Sequence, residues 1–399
     1  MSKVITDENQ IKEVFDRYAE AVFPSPEKAM EIFKSGRRLT FYLGIDPTGP
    51  DIHLGHVTNF LVLKKIIALG HRVILLIGDF TARIGDPTGK DTARQPLSKE
   101  RIKENLKTYL DQVYKILRKG SVEIKYNSQW LEKMNLEKII ALGSYVTVQQ
   151  MLARDMFQRR MQEEKPISQN EFMYPLLQSY DSVAMEVDGE IGGNDQTFNM
   201  LVGRDLVKKM LGKEKVVIAT KLLEDPESGK KLMSKSEGRY VSLNDSPQEM
   251  FGKIMALPDF AIMSLFKLST EVSDESIANL KNRLQSGENP KNIKEELAFE
   301  TVKMVYGEKE AGKAKDEFRR VFSEKGLPVS VTEFKIESAS VPLAAFISGS
   351  LQISMSEAKR LVSEKKAVTV NDKPVENWDY QVKPGDIVKA GPRHFVKAK

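Results

Sequence analysis

Residues 38–77 read RLTFYLGIDPTGPDIHLGHVTNFLVLKKIIALGHRVILLI, and the order of patterns within them decides the fold class. Arg38 to Leu43 alternates in the manner of a short strand. GIDPTGPD, residues 44–51, is dense in turn-forming residues, and His53 to Leu69 carries a long amphipathic helical pattern. A second apolar strand, Arg72 to Ile77, leads into the loop GDFTARIGDPTGKDTAR. A third, Val216 to Thr220, precedes another loop rich in Gly and Lys. Strands that feed ligand-type loops at their C-terminal ends predict an α/β fold with a Rossmann-type parallel sheet.

Working outward, residues from about 100 to 215 read as mostly helical, and from Ser246 to Phe322 the chain is again helical and rich in Lys and Glu. A strand-like connector, Leu327 to Ser340, precedes SMSEAKRLVSEKKAVTVNDKPVENWDYQVKPGDIVKAGPRHFVK, a short basic helix followed by small strands with Asn-Asp and Pro-Gly turns. The expected division is therefore a Rossmann-type domain with a helical insertion over 1–245 and an all-helical domain over 246–330. A linker over 331–340 then leads to a small α+β module over 341–399.

A chain of 399 residues exceeds what one hydrophobic core comfortably organises. With 41% hydrophobic and 29% charged residues it reads as globular. No apolar run approaches the roughly 18–20 residues of a membrane span, and MSKVITDENQIKE lacks secretory or transit character, so the cytoplasm is the expected location. The absence of cysteine excludes disulfides, thiolate zinc sites and thiol nucleophiles. Any metal must be held by oxygen or imidazole or arrive with a substrate. A net charge of +5 is compatible with a polyanionic partner.

Two of the four histidines fall in His53-Leu54-Gly55-His56, at the start of the expected helix. Spaced i and i+3, the imidazoles share a face, and a helix N-terminus with its unpaired N–H groups favours polyphosphate. Gly55, without a side chain, would let a base or ribose approach the backbone. The second cluster is Leu232-Met233-Ser234-Lys235-Ser236, preceded by Lys230 and Lys231. A lysine-rich loop of this kind can close over a triphosphate and neutralise charge on departing pyrophosphate.

With both clusters in this order, the chain resembles the class I aminoacyl-tRNA synthetases, whose signatures are written HIGH and KMSKS. Leu232 stands where the second signature has its first lysine, so that role passes to Lys231 or Lys230, whereas Lys235 keeps its place. Within NEFMYPLLQSYDSVAMEVD, residues 170–188, Tyr174, Gln178 and Asp181 are spaced i, i+4, i+7 on one helix face, with Pro175 near the helix start where its missing N–H does little harm. Two hydrogen-bonding side chains and a carboxylate on one face of an apolar helix suit a pocket for an ammonium group and a phenol.

This pattern resembles the tyrosine-binding helix of the tyrosyl-tRNA synthetases. The resemblance implies that Tyr174, Gln178 and Asp86 surround the substrate ammonium, that Tyr42 and Asp181 contact the phenol hydroxyl, and that Gln196 also holds tyrosine. It assigns Gly44, Asp46, Gly55, Gly193, Asp195 and Lys235 to ATP. Thr48, His53 and His56, with Lys235 and Lys231, would engage the phosphates, and Lys90 and Arg94 would serve pyrophosphate or the tRNA end. It implies ATP as substrate with Mg²⁺ carried on its phosphates, tRNA(Tyr) and tyrosine as partners, and a homodimer.

The tail resembles an RNA-binding domain first named in a small-subunit ribosomal protein, with Lys359, Arg360, Lys365 and Lys366 as phosphate contacts. The helical domain would take the anticodon. The rival readings are a synthetase for another aromatic amino acid and, from a different class, an RNA-binding paralogue without catalysis.

Overall fold

The computed structural model describes residues 3–88, 97–225, 227–233, 240–322, 332–336, 338–371, 373–391 and 394–399. Its chain divides into two compact units, residues 1–312 and 313–399. The first is built on a six-stranded sheet of β1 (Ala19–Phe23), β2 (Thr40–Ile45), β3 (Arg72–Ile77), β4 (Glu123–Tyr126), β5 (Gly189–Gly193) and β6 (Val216–Thr220), in the order β1-β6-β5-β2-β3-β4. All neighbours pair in parallel except β1, which runs antiparallel to β6 at one edge. The α/β class and the parallel sheet are as the opening stretch predicts. The 100–215 stretch, expected to be mostly helical, also contributes β4 and β5. Glu123–Tyr126 is only half-buried, and Gly189–Gly193 is three-fifths glycine, so neither carries a strong strand signal.

Chain connections leave β2 and β5 on opposite sides: β2 continues to its neighbour β3, and β5 to β6 on the other side. A crevice opens at such a reversal, outside the carboxyl ends of the strands. α1 (Glu8–Tyr18) precedes the sheet, and α2 (Leu54–Ala68) follows β2. α2 buries Leu54, Val57, Phe60, Leu61, Val62, Leu63 and Ile66, almost its whole circumference, where one apolar face was expected. It packs between the sheet on one side and α1 with a later helix on the other, so it meets water chiefly at its C-terminal end, at Lys64, Lys65 and Ala68. α3 (Met173–Ala184) follows a 3₁₀ turn, with Pro175 in its first turn, and packs along α4 (Thr197–Leu211).

Helices follow over Pro247–Met255, α5 (Ile262–Ser269), Asp274–Gln285, Pro290–Tyr306 and Glu308–Phe322. The first is set by a Ser246–Glu249 capping box with Pro247 in its first turn. Thr58 of α2 donates to the Leu268 carbonyl of α5 at 2.9 Å.

The second unit holds a sheet ordered Lys373–Pro374, Val368–Val370, Ile387–Ala390, His394–Ala398 and Thr332–Phe334, together with the helices Leu343–Leu351 and Met355–Ser363. Its core is made of Leu343, Phe346, Ile347, Val362, Val368, Val388 and Val396. Among the described residues no helix is long and apolar enough to cross a membrane.

One buried cation ties α1 to α5 beneath α2. Arg17, 4% exposed, donates from Nε to the Lys267 carbonyl at 3.0 Å, from Nη1 to the Val272 carbonyl at 2.8 Å and Asp274 Oδ1 at 3.1 Å, and from Nη2 to the Thr270 carbonyl at 3.1 Å. Arg17→Ala strips these acceptors of their donor, so we expect it to lower unfolding stability by about 3 kcal/mol, read as a shift of the urea midpoint. A loss below about 0.5 kcal/mol, the range of ordinary surface changes, would mean the clamp contributes nothing.

Candidate active site

The ends of β2, β5, α2 and α3 enclose one pocket, lined by Tyr42, Gly44, Asp46, Thr48, His53, Gly55, His56, Asp86, Tyr174, Gln178, Asp181, Gly193, Asp195, Gln196 and Lys231 among others. These are all the expected site residues of the first unit that lie within the described residues. Lys235, Lys90 and Arg94 lie outside them.

Strand β2 delivers Tyr42, wholly buried, with its hydroxyl 2.9 Å from Ser182 Oγ. Burial raises its phenol well above the ordinary value, and the nearby acids Glu190 and Asp181 raise it further, so the hydroxyl keeps its proton. Asp46, just past the strand, accepts from Thr81 Oγ1 at 2.8 Å and from the Tyr174 hydroxyl at 3.1 Å. The same burial, with Asp46 and Asp86 beside it, raises the Tyr174 phenol.

The i, i+4, i+7 face of α3 turns into the pocket as its spacing predicts. Gln178 donates to Glu190 Oε1 at 3.2 Å and accepts from Asn199 at 3.0 Å, which fixes which way its amide points. Asp181 accepts from Trp130 Nε1 at 2.7 Å on one oxygen and from Asn127 Nδ2 at 3.2 Å on the other. Burial is the largest influence on Asp181 and drives its carboxyl well above the usual carboxylate range, against the two N–H donors. Across the pocket, Asp86 accepts from Gln196 Nε2 at 2.8 Å and from the Thr88 N–H at 2.9 Å.

At the start of α2 the geometry differs from the sequence expectation. His53 is the N-cap rather than a helical residue: its Nδ1 accepts from the Gly55 N–H at 3.2 Å, while His56 Nδ1 accepts from the His53 N–H at 3.3 Å. This is a capping box made of two imidazoles, with ring centroids 4.0 Å apart. Because each Nδ1 is an acceptor, the neutral rings carry their protons on Nε2. The Leu54 N–H is also taken, by the Val241 carbonyl at 3.0 Å. The attraction for an anion therefore comes from the dipole and the imidazole Nε2–H groups rather than from unpaired backbone donors. Gly55 lines the pocket and also serves the cap, since a Cβ there would lie 3.0 Å from the His53 ring. Its bareness makes room for the cap.

The pocket is electrically lopsided. Four acids line one half: Asp181 is held protonated and Glu190 is neutralised by Lys215, so Asp46 and Asp86 supply the field that favours a cationic ligand group. In the other half stand the two imidazoles and Lys231, which pairs with Asp195 at 2.6 Å. In the second unit Lys359 stacks 3.9 Å over the Trp378 ring, while Arg360 pairs with Glu364 at 3.3 Å and Lys366 with Glu376 at 2.9 Å, all at the surface. Lys365 follows the same helix end and is exposed.

Sequence reading missed Asn127, Trp130, Thr81 and Glu190. Asn127 and Trp130 sit in YNSQWL directly after β4, and the signal that could have found them was that weak strand running into an Asn-Ser turn. Glu190, a lone acid in GEIGG, was readable only as a polar interruption before the GGNDQ loop.

Comparison with known proteins follows the same line. Residues 34–323 match the family described as tRNA synthetases class I (W and Y). The tyrosine–tRNA ligase of Carboxydothermus hydrogenoformans is 42% identical, with 96% of each chain covered, and that of Thermotoga maritima is 39% identical, with 98% of each covered. A C-terminally truncated mitochondrial tyrosyl-tRNA synthetase of Aspergillus nidulans superposes with a TM-score of 0.64 at 24% identity, over 78% of this chain and 93% of that one. The tyrosyl-tRNA synthetase of Archaeoglobus fulgidus, solved with L-tyrosine, gives 0.60 at 22% identity, over 77% and 99%. These two solved structures share the fold.

The burial of Asp181 has a consequence for stability. Unfolded, the group titrates near 3.8; between that pH and its raised folded value, the folded protein holds a proton that the unfolded chain has lost. The contribution is complete below 3.8 and is lost as pH rises through the folded value. Asp181→Asn removes this titration, so as pH rises above 3.8 the urea midpoint of the variant should fall less than that of the unaltered chain. Parallel curves would show that Asp181 is not held protonated.

Proposed function

Because the chain belongs to the class I tRNA synthetases for tryptophan and tyrosine, and within them to the bacterial-type tyrosine–tRNA ligases, we propose that its pocket takes tyrosine in the acidic half and ATP in the half bounded by the imidazoles. The chain activates tyrosine with ATP and transfers it to tRNA. The observation that carries the placement is the single face of α3 bearing Tyr174, Gln178 and Asp181, set in the same cavity as Tyr42 and Asp86.

Tyr174, Gln178 and Asp86 surround the substrate ammonium, and Gln196, already bonded to Asp86, closes that end. Tyr42 and Asp181 meet the phenol hydroxyl. A pocket that buries polar groups for a hydroxyl leaves them unpaired when phenylalanine enters, and tyrosyl enzymes are the standard instance of such rejection. Gly44, Asp46, Gly55 and Gly193 border the nucleotide, and Asp195 accepts from its ribose once Lys231 turns to the phosphates. ATP enters as its magnesium complex, the usual state of a polyphosphate substrate.

The first step needs no side-chain nucleophile. A carboxylate oxygen of tyrosine attacks the α-phosphorus, the bond to the bridging oxygen breaks, and pyrophosphate leaves with that electron pair. The chain supplies alignment and charge: Thr48 and the Nε2–H groups of His53 and His56 on the phosphates, and Lys231 and Lys235 on the β- and γ-groups. In the second step a ribose hydroxyl of the terminal adenosine of tRNA attacks the tyrosyl carbonyl and AMP leaves.

Residues 1–245 form the catalytic domain in this reading. The helices over 246–330 take the anticodon, 331–340 is the linker, and 341–399 bind RNA through Lys359, Arg360, Lys365 and Lys366, which neutralise phosphates. Lys90 and Arg94 attend pyrophosphate or the tRNA end. The protein works as a cytoplasmic homodimer.

Exchange of labelled pyrophosphate into ATP tests the activation step. At equal low concentrations we expect it with tyrosine and not with phenylalanine or tryptophan, and expect Lys235→Ala to slow it by about two orders of magnitude. Exchange driven equally by all three amino acids, or by none, would refute the placement.

A further inference from the structure

Two side chains that touch no part of the cavity surface stand directly behind Tyr42. Ser182 and Lys215 are both fully buried. Lys215 Nζ donates to Ser182 Oγ at 2.9 Å and forms a close ion pair with Glu190 Oε2. Burial lowers the Lys215 ammonium from its ordinary value, and the Glu190 carboxylate beside it works in the opposite direction.

The hydrogen-bonding capacities of these groups fix a direction. An ammonium has donors and no acceptor, so Ser182 Oγ must accept from Lys215 and pass its own proton onward. Two acceptors are within reach, Tyr42 Oη at 2.9 Å and Glu190 Oε2 at 3.4 Å. The first lies in the normal range for a hydroxyl donor and the second beyond it; Glu190 Oε2 is, moreover, already engaged by the ammonium. Ser182 therefore donates to Tyr42, and the Tyr42 proton is turned away from Ser182, with the Glu190 carboxylate beside it as acceptor until a ligand hydroxyl is present.

Asp181 is the terminus of the chain. Its two oxygens each accept one N–H, from Trp130 and Asn127; the proton that burial keeps on it in the free protein has to leave before its remaining lone pairs accept a ligand hydroxyl, and that hydroxyl, with the two N–H donors, favours the ionised carboxylate. With the opposite serine rotamer, Tyr42 and Asp181 would both present acceptors to a hydroxyl that has one proton to give.

We propose that Lys215 and Ser182 are positioning residues that set the Tyr42 hydroxyl as a donor toward the substrate phenol, so that a one-way chain of hydrogen bonds runs Lys215, Ser182, Tyr42, substrate, Asp181. The proposal rests on the placement of tyrosine given above. It gives a reason for the bare position at Gly203 on α4, where a Cβ would come within 2.7 Å of Lys215 Nζ and 3.3 Å of Ser182 Oγ. It also gives a reason for a buried ion pair that is costly to keep dry and whose ammonium reaches no part of the cavity surface.

The test is the ratio of kcat/KM for tyrosine to kcat/KM for phenylalanine in pyrophosphate exchange by the full chain, each taken from the initial rise of rate with amino acid concentration, with phenylalanine carried far above the concentrations used for tyrosine. It compares Ser182→Ala, which leaves the Lys215–Glu190 pair intact, with Gly203→Ala, which crowds the ammonium. A folding defect scales both substrates alike and leaves the ratio unchanged. We expect Ser182→Ala to lower the ratio about tenfold and Gly203→Ala about threefold, with the phenylalanine value unchanged. The loss should fall on KM for tyrosine, because the phenol contact is equally present in ground and transition states. An unchanged ratio in both variants overturns the relay even where tyrosine exchange by the unaltered chain is intact. Absence of tyrosine-dependent exchange in the unaltered chain overturns the placement on which the relay rests.

Discussion

The parallel register between β2 and β5 is the constraint on which the rest of the site depends. Tyr42 stands opposite Glu190, with Phe41 opposite Gly189 and Leu43 opposite Ile191. Because side chains alternate faces along a strand, a slip of one residue would send Tyr42 and Glu190 to opposite faces and dissolve the pocket wall. The register is held by shape: a Cβ at position 189 would stand 2.1 Å from the Phe41 ring, so only glycine fits opposite that aromatic. The glycines that make β5 illegible as a strand are thus what lets it pair closely at the centre of the sheet.

That crevice gathers acids, and acids buried together must be compensated. Each has a dedicated donor: Thr81 and Tyr174 on Asp46, Gln196 on Asp86, Trp130 and Asn127 on Asp181, Lys215 and Gln178 on Glu190. Most of these donors are neutral. The acidic half therefore keeps a net demand for positive charge, which an amino acid's ammonium would meet, while its hydrogen-bond geometry is fixed before any ligand arrives. Preorganisation of this kind places the work of recognition in folding rather than in binding.

Much of this was legible in the sequence because chemistry-bearing residues are written at fixed local spacings. The strand, turn and helix of residues 38–77 gave the sheet and the crevice, and the spacing of Tyr174, Gln178 and Asp181 gave a shared face. What escaped were relations between segments distant in sequence. Trp130 and Asn127 reach Asp181 from about fifty positions away, and Lys215 reaches Ser182 across 33 positions. No periodicity encodes such a partner. The imidazole capping box escaped for a different reason: spacing placed both rings on one helix face, but N-cap geometry, which takes His53 out of the helix, depends on the backbone turn before it.

The two lysine–carboxylate pairs of the site divide stability and change between them. Lys215 and Glu190, with side chains 0% and 3% exposed, form a dry pair, and removing one partner would strand a charge at a cost of about 3–5 kcal/mol. Lys231 and Asp195, 51% and 29% exposed, are worth at most about 1 kcal/mol once solvent screening is counted. In the proposed placement, the pair that is hard to break stands where the phenol would be read and nothing should move. The pair that is easy to break stands where, in that placement, a triphosphate would enter, take the lysine and leave the carboxylate to a ribose hydroxyl. A site that must recognise one group rigidly and exchange another in every turnover is served by that contrast in burial, and both halves of it follow from where the strand ends leave each lysine relative to water.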